Sequence, residues 1–259
     1  MLDRIIAHKK RILEGIDTSS EIRKIEKLTG ELPDTIGFGK SLKADIDISI
    51  IAEIKRRSPS RGILNAKFEL VDLVQAYEKA GAKAISVLTE NKFFAGSAMD
   101  LCMARKNTAL PILRKDFIVH EYQVWESRAI GADAILLIVK ALSVAELSRL
   151  SQLAFALGLD VVVEIHDLTE LEIALSMSPD IIGVNNRNLA TFETKLTSFE
   201  QLAMKIPSGI LIISESGVHC RNDILYLKKY GADAVLVGES IIISADPYQK
   251  IRELMGIAP

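Results

Sequence analysis

The chain has 259 residues, long for one ordinary domain but within reach of a single large α/β domain. Hydrophobic residues make up 49% and charged residues 25%, which supports a sizeable core and excludes an acidic disordered chain. Lys plus Arg is 32 against 34 for Asp plus Glu, a net charge of −2 that argues against a dedicated nucleic-acid binder.

The first segment, Met1 to Asp17, is interrupted by Asp3, Arg4 and the run His8-Lys9-Lys10-Arg11, and has no apolar core of a signal peptide. Leu2, Ile5, Ile6, Ile12, Leu13 and Ile16 follow a helical period, with the basic run on the other face. The segment reads as an added helix that packs on the rest of the chain. Short apolar runs follow. They are Ile50 to Ile54, Ala84 to Leu88, Pro111 to Leu113, Ala134 to Val139, Val161 to Ile165, Ile181 to Val184, Ile210 to Ile213 and Val235 to Val237. The longest are of strand length, not membrane length.

Three of these runs share one grammar. Gly81-Ala82-Lys83-Ala84, Gly131-Ala132-Asp133-Ala134 and Gly231-Ala232-Asp233-Ala234 each read as a helix end, a glycine cap and a strand apolar on both faces. Helical patterns lie between the runs, as at Leu70-Val71, Leu73-Val74 and Tyr77. Eight such units predict an α/β protein made of one closed (β/α)8 TIM barrel with an N-terminal helical extension. An open doubly wound sheet is disfavoured, because no strand leads into a GxGxxG turn. No linker marks a second domain: residues 1–259 are expected to form one domain, with 1–46 the extension and 47–259 the barrel.

In a barrel, chemistry collects where strands end. Reading those ends in order gives Glu53 and Lys55, Thr89 and Glu90, Lys115 and Asp116, Lys140, Glu164, Asn185 and Arg187, Glu215 and Ser216, and Gly238 and Glu239. Glu53 and Lys55 are two apart on an extended chain and point to the same side, toward the mouth, while Ile54 faces the helices. A solvated strand-end ion pair is the plain alternative. Ser58-Pro59-Ser60-Arg61-Gly62 then makes a loop long enough to fold over the mouth. The run Lys55-Arg56-Arg57 could suggest RNA, but the net charge speaks against it. Lys115 at a strand end could form a Schiff base, donate a proton or hold an anion. Glu164 could serve as acid or base. Ser216-Gly217 and Gly238 follow the seventh and eighth strands, where small residues let backbone N–H groups approach a phosphate. His8, His120, His166 and His219 show no HxxxH or HExxH spacing and read as surface or loop residues, so no metal is expected. Cys102 and Cys220 form no CxxC or Cys/His cluster; a disulfide framework is not expected and a reducing compartment fits.

These segments together resemble indole-3-glycerol phosphate synthase. The matching stretches are Ile51-Ala52-Glu53-Ile54-Lys55-Arg56-Arg57-Ser58-Pro59-Ser60, Ser86-Val87-Leu88-Thr89-Glu90 and Leu113-Arg114-Lys115-Asp116-Phe117. Further on come Leu136-Leu137-Ile138-Val139, Val163-Glu164-Ile165, Gly183 to Leu189, Ser214-Glu215-Ser216-Gly217 and Val237-Gly238-Glu239-Ser240. The resemblance implies ring closure of 1-(2-carboxyphenylamino)-1-deoxyribulose 5-phosphate to indole-3-glycerol phosphate, with loss of CO2 and water. By similarity Lys115 is the general acid, Lys55 held by Glu53 steers the substrate, and Glu164 moves protons during dehydration beside Asn185. Glu215 and Ser216 complete the polar ring. Ser58 and Arg187 are implied as anion contacts, and Phe94, Phe117 and Leu136 as apolar walls for the benzene ring. Gly217, Gly238 and Glu239 are implied as the phosphate site. No cofactor is implied. The expected partner is the small phosphorylated substrate, with no nucleic acid and no membrane, for a cytoplasmic monomer that associates at most weakly with other tryptophan-pathway enzymes. Rival readings are phosphoribosylanthranilate isomerase, which would want a Cys/Asp pair where Glu53, Lys55 and Glu164 stand, a Schiff-base aldolase, and a non-catalytic phosphate sensor.

Overall fold

A computed structural model describes residues 1–30, 32–43, 48–59, 61–65, 69–188 and 191–257. The expected boundary at 46/47, Ser60 of the loop and Leu189 lie outside the described residues. Each of the eight apolar runs falls on a strand: β1 (Ser49–Ile54), β2 (Ala84–Leu88), β3 (Ile112–Lys115), β4 (Ala134–Ile138), β5 (Asp160–Ile165), β6 (Ile181–Asn185), β7 (Leu211–Glu215) and β8 (Ala234–Val237). Every strand pairs with its successor in parallel, and β1 pairs with β8 to close the barrel. Helices alternate with the strands, from α4 (Leu70–Ala80) through α5 (Ala98–Lys106), α6 (Glu121–Ala129), α7 (Val144–Ala156), α8 (Leu168–Leu175), α9 (Thr197–Ala203) and α10 (Arg221–Lys229) to α12 (Pro247–Met255). A one-turn helix, α11 (Glu239–Ile242), precedes α12 directly after β8.

Side-chain alternation divides the apolar residues into two layers. Ile51, Ala84, Leu113, Ala134, Leu136, Val162, Ile181, Leu211, Ile213, Ala234 and Leu236 fill the barrel interior. Their neighbours Ile50, Ala52, Ile85, Ile112, Ile135, Leu137, Val163, Ile182, Ile212 and Val235 pack outward under the helices. Strands buried on both faces therefore need continuous apolar runs, which is the pattern the sequence carries.

The repeated Gly-Ala-x-Ala segment has a mechanical basis. Gly81, Gly131 and Gly231 have φ of 101°, 92° and 90°, left-handed backbone that ends the helix and turns the chain into the next strand. In two copies the aspartate then accepts an N–H at the start of the preceding strand: Asp133 from Ile112, the first residue of β3, at 2.8 Å, and Asp233 from Ile212, the second residue of β7, at 2.7 Å. These two repeats thus secure the lower ends of their neighbouring strands.

The extension is three helices rather than one: α1 (Leu2–Glu14), α2 (Thr18–Thr29) and α3 (Phe38–Leu42). Helix α3 stoppers the bottom of the barrel, with Phe38 and Leu42 inside the inner layer and the Gly39 N–H on Asp160 at 2.9 Å. Truncating Phe38 would cost roughly 3–5 kcal/mol, the usual range for a buried aromatic. The basic run of α1 does not all face away from the barrel. Lys9 falls on the same helical stripe as Leu2 and Ile5, and its ammonium meets buried Asp116 at the end of β3, 2.7 Å away. Between β1 and α4, Arg57–Ser58 and Gly62–Ile63 form a small antiparallel hairpin that the strand count did not anticipate, each arm being only two residues long.

Candidate active site

Strand parity places the functional groups. Positions 51, 53 and 55 of the first strand and its extension point inward, as do 113 and 115, 162 and 164, 183 and 185, 213 and 215, and 236 and 238. The lower member of each set is apolar or glycine, and the upper member closes the cavity at the C-terminal mouth. That cavity is lined by Glu53, Lys55, Ser58, Phe94, Lys115, Phe117, Leu136, Glu164, Asn185, Arg187, Ser216, Gly217, Gly238 and Glu239, among others. Every catalytic or binding residue implied by the resemblance except Glu215 lines it; of the other strand-end residues read from the sequence, Asp116 lines it and Thr89, Glu90 and Lys140 do not. Glu215 lies just beneath, fully buried, with its carboxylate on Lys115.

Lys115 is the hub. Its Nζ lies 2.5 Å from Glu215 Oε2 and 3.7 Å from Glu53 Oε2, while Lys55 donates to the other oxygen of Glu53. Burial pulls the lysine pKa down, but Glu215, Glu53 and Glu164 together raise it above the ordinary value. Lys115 is therefore an ammonium throughout the physiological range. Burial likewise pushes Glu53 up, and Lys55 and Lys115 more than reverse this, so Glu53 stays ionised. Glu215 goes the other way. Burial, reinforced by the charges of Glu164 and Glu53, outweighs Lys115 and pushes it up to about 7.

Two glycines make room for these carboxylates. A Cβ on Gly183 would run into Glu215 Oε1, and one on Gly238 would run into Glu53. Gly238 is thus needed to seat Glu53, a reason distinct from the close approach to phosphate expected of it.

On the far side of the mouth, Asn185 Nδ2 donates to Glu164 Oε1 at 3.3 Å, and its Oδ1 accepts from the Ser216 hydroxyl and the Arg187 N–H, both at 3.0 Å. Ser216 and Gly217 are consecutive left-handed residues, with φ of 67° and 95°. The Ser240 hydroxyl donates to the Val218 carbonyl at 2.8 Å, tying the loops after β7 and β8 together. The Glu239 carboxylate does not project as an empty acceptor; it pairs with Arg61 at 3.0 Å and Arg187 at 3.6 Å. The apolar wall is equally built. Glu90 accepts the N–H groups of Lys92, Phe93 and Phe94, which fixes the loop carrying Phe94, and the Phe94 and Phe117 rings lie 6.0 Å apart.

Sequence reasoning missed His166 and His219. His219 lines the cavity. His166 stands in a loop, as expected, but its side chain is only 10% exposed and wedges between Glu164 and Glu170. Its place two residues after Glu164, on the same strand parity, was the available signal. Among the described residues no group of three or more His, Cys, Asp or Glu side chains could hold a metal ion, and no helix is long and apolar enough to cross a membrane.

A mutant tryptophan synthase α-subunit from Pyrococcus furiosus superposes with a TM-score of 0.63 at 18% identity, covering 82% of this chain and 99% of that one. A thiamine phosphate pyrophosphorylase from the same organism gives 0.61 at 16% identity, over 81% and 94%. Identities this low speak for the barrel alone. Sequence relatives say more. The chain is 44% identical to the indole-3-glycerol phosphate synthase of Thermoanaerobacter pseudethanolicus, over 98% of this chain and 97% of that one. It is 42% identical to the enzyme of the same name from Chlorobium phaeovibrioides, over 95% of both. The family model for indole-3-glycerol phosphate synthase matches residues 2–254, extension included. With the lysine–carboxylate ring at the mouth of a parallel barrel and likeness along its whole length, the chain belongs to the indole-3-glycerol phosphate synthase family.

Proposed function

We infer that this chain closes an indole ring, converting 1-(2-carboxyphenylamino)-1-deoxyribulose 5-phosphate to indole-3-glycerol phosphate, CO2 and water, as a carbon–carbon lyase of tryptophan biosynthesis. The observation that carries the reading is the ammonium of Lys115, held between Glu215 and Glu53 beside an aromatic wall. The ring carbon bearing the carboxylate attacks the sugar ketone, and the carbonyl electron pair moves onto oxygen. An alkoxide is a stronger base than any lysine amine, so Lys115 gives it a proton despite its raised pKa. CO2 then leaves, and its bonding pair restores the aromatic ring. In the last step the new hydroxyl departs as water while the neighbouring CH2 loses a proton. Glu164 is the group that moves these protons, oriented by Asn185. Glu215, near its midpoint at neutral pH, is placed to recharge Lys115.

The remaining groups bind. Lys55, paired with Glu53, steers the substrate carboxylate, and Phe94, Phe117 and Leu136 sandwich the benzene ring. The phosphate sits on the backbone of Ser216, Gly217, Gly238 and Glu239, with Arg187 and Ser58 as further anion contacts. The aldolase reading weakens on physical grounds. A Schiff-base lysine needs a depressed pKa to be an amine, and Lys115 is pushed upward. The reading takes the enzyme to be a cytoplasmic monomer acting on a free small molecule; molar mass by light scattering would check the oligomeric part.

The test is turnover: purified protein with the anilino-deoxyribulose phosphate and no added metal or nucleotide, followed by indole fluorescence. Substrate binding without product would favour the phosphate sensor, and borohydride trapping of a ketose phosphate on Lys115 would favour the aldolase.

A further inference from the structure

His166 follows β5 two residues after Glu164, and none of the roles above uses it. Its backbone N–H donates to Glu170 Oε2 at 2.8 Å, and its ring Nδ1 lies 3.0 Å from the same oxygen. Glu170 sits in the first turn of α8, where its own N–H is capped by Asp167 at 2.9 Å. One carboxylate therefore fixes both the main chain and the ring of His166. With Nδ1 engaged, Nε2 is turned toward Glu164 and lies 3.3 Å from its Oε1. Asn185 Nδ2 reaches that same oxygen, also at 3.3 Å. Asn185 thus donates to Oε1 and His166 Nε2 approaches the same oxygen as a charged contact outside hydrogen-bond geometry, which leaves Oε2 as the oxygen to take a proton from substrate. Glu164 lines the cavity and His166 does not, so the chain Glu170–His166–Glu164 runs from a helix, through a loop, into the site.

We propose that His166 is a positioning residue for Glu164: clamped by Glu170, its imidazolium aims the Glu164 carboxylate and keeps it ionised as the proton acceptor. This rests on the reading of Glu164 as the group that moves protons. The charges around the pair agree. Lys115 on β3 faces Glu164 with positive charge, Glu215 on β7 faces it with negative charge when ionised, and Glu170 on α8 faces His166. Burial works against both ions, pulling His166 down and pushing Glu164 up. The contacts with Glu164 and Glu170 overcome this and carry His166 up to about 10; the close contact and charge of His166 carry Glu164 down to about 2. A doubly protonated ring can only donate, so it cannot swing round and compete for the proton that Oε2 must accept.

The test combines pH profiles with direct titration. In the wild-type enzyme the His166 ring resonances should remain those of imidazolium at about pH 8, well above an ordinary histidine. H166L should move the acidic limb of kcat upward by about one pH unit or more and, through lost orientation of Glu164, lower kcat roughly tenfold even at neutral pH, with KM within about twofold. H166Q keeps an N–H donor without the charge and should recover orientation, and part of kcat, while leaving the limb displaced. E170Q should bring the His166 titration down. A ring that is neutral at pH 7 in the wild type overturns the proposal even if no variant folds. So does an H166L profile that superimposes on the wild type while E164Q is inactive. If E164Q itself kept full kcat, the role of Glu164 would fall first, which separates the two failures.

Discussion

Lys115→Met keeps an unbranched apolar side chain and removes the ammonium with its proton. The structure sets the cost in two parts. For folding, the change orphans Glu215, which is fully buried with Lys115 as its cation at 2.5 Å. Glu215 already stands at about 7, and losing Lys115 raises it further, so at neutral pH the carboxyl takes a proton instead of remaining a bare buried charge. Glu53 keeps Lys55. The stability loss is therefore that of a charge-assisted hydrogen bond, roughly 1.5–3 kcal/mol, not the larger penalty of an uncompensated ion. For catalysis, the lost proton transfer should lower kcat by roughly 10² or more, about 2.7 kcal/mol of barrier. KM should change less, because ring and phosphate are held by other groups. Arg187→Ala, which removes a rim cation, should act more on KM. Steady-state kinetics by indole fluorescence, with circular dichroism to confirm folding, makes the comparison. A folded Lys115→Met enzyme with near-wild-type kcat would refute the general-acid role and transfer it to Lys55.

Other expectations follow from the same contacts. Gly183→Ala should displace Glu215 and so lower kcat with little effect on KM, and Gly238→Ala should disturb Glu53 and raise KM as well as lower kcat; unchanged kinetics in both would mean that the ring relaxes freely. Lys9→Met breaks the ion pair with Asp116, which retains Arg114, and should destabilise the protein by about 2 kcal/mol near neutral pH, read by urea unfolding. Lys9 helps to hold the Asp116 pKa below its ordinary value, so this contribution is present above the unfolded carboxylate pKa and fades as pH falls through the folded one; the two proteins should converge in acid, and a difference that persists there would point to packing instead. Finally, Arg61 in the loop after β1 bonds Glu239 just beyond the adjacent β8, so amide exchange at Arg61–Ile63 should slow when a substrate analogue binds; equal rates would sink the idea of a closing loop.

Much of this was readable beforehand because barrels write themselves in periodic form. Strands buried on both faces need unbroken apolar runs, and a polar residue two positions beyond the last inward apolar one lands in the mouth. Glu53, Lys115, Glu164 and Glu215 could be found on that rule alone. What stayed hidden depends on contacts between distant segments. Lys9 looked like one more solvated lysine, although its spacing from Leu2 and Ile5 put it on the buried stripe; only the barrel supplies Asp116 to receive it. His166 is a different case: it carries no ligand spacing, and its partners Glu164 and Glu170 are only two and four residues away, but the turn from β5 into α8 is what brings them onto its two ring nitrogens. Gly238 was read as room for phosphate; that its missing Cβ also leaves room for Glu53 shows only once β8 is paired with β1. The two-residue hairpin arms after β1 are too short for any periodicity to show.

The buried groups also have to be counted as one charge system. Lys55, Lys115 and the His166 imidazolium face Glu53, Glu164, Glu215 and Glu170, three positive charges against four negative when all are ionised. In a poorly hydrated site such an imbalance is relieved by protonating the carboxylate that is easiest to protonate. Glu53 has Lys55 and Lys115, Glu164 has His166 and Asn185, and Glu170 accepts two contacts from His166. Glu215 has Lys115 alone as a partner, with Oε1 unpaired and two carboxylates nearby. It is the group driven up to about 7, while Glu164 stays far below. The proton that the ring gains on mild acidification therefore goes to Glu215. On the proposed mechanism, that leaves Glu164 as the base and places a proton donor against Lys115, the step at which a proton is consumed.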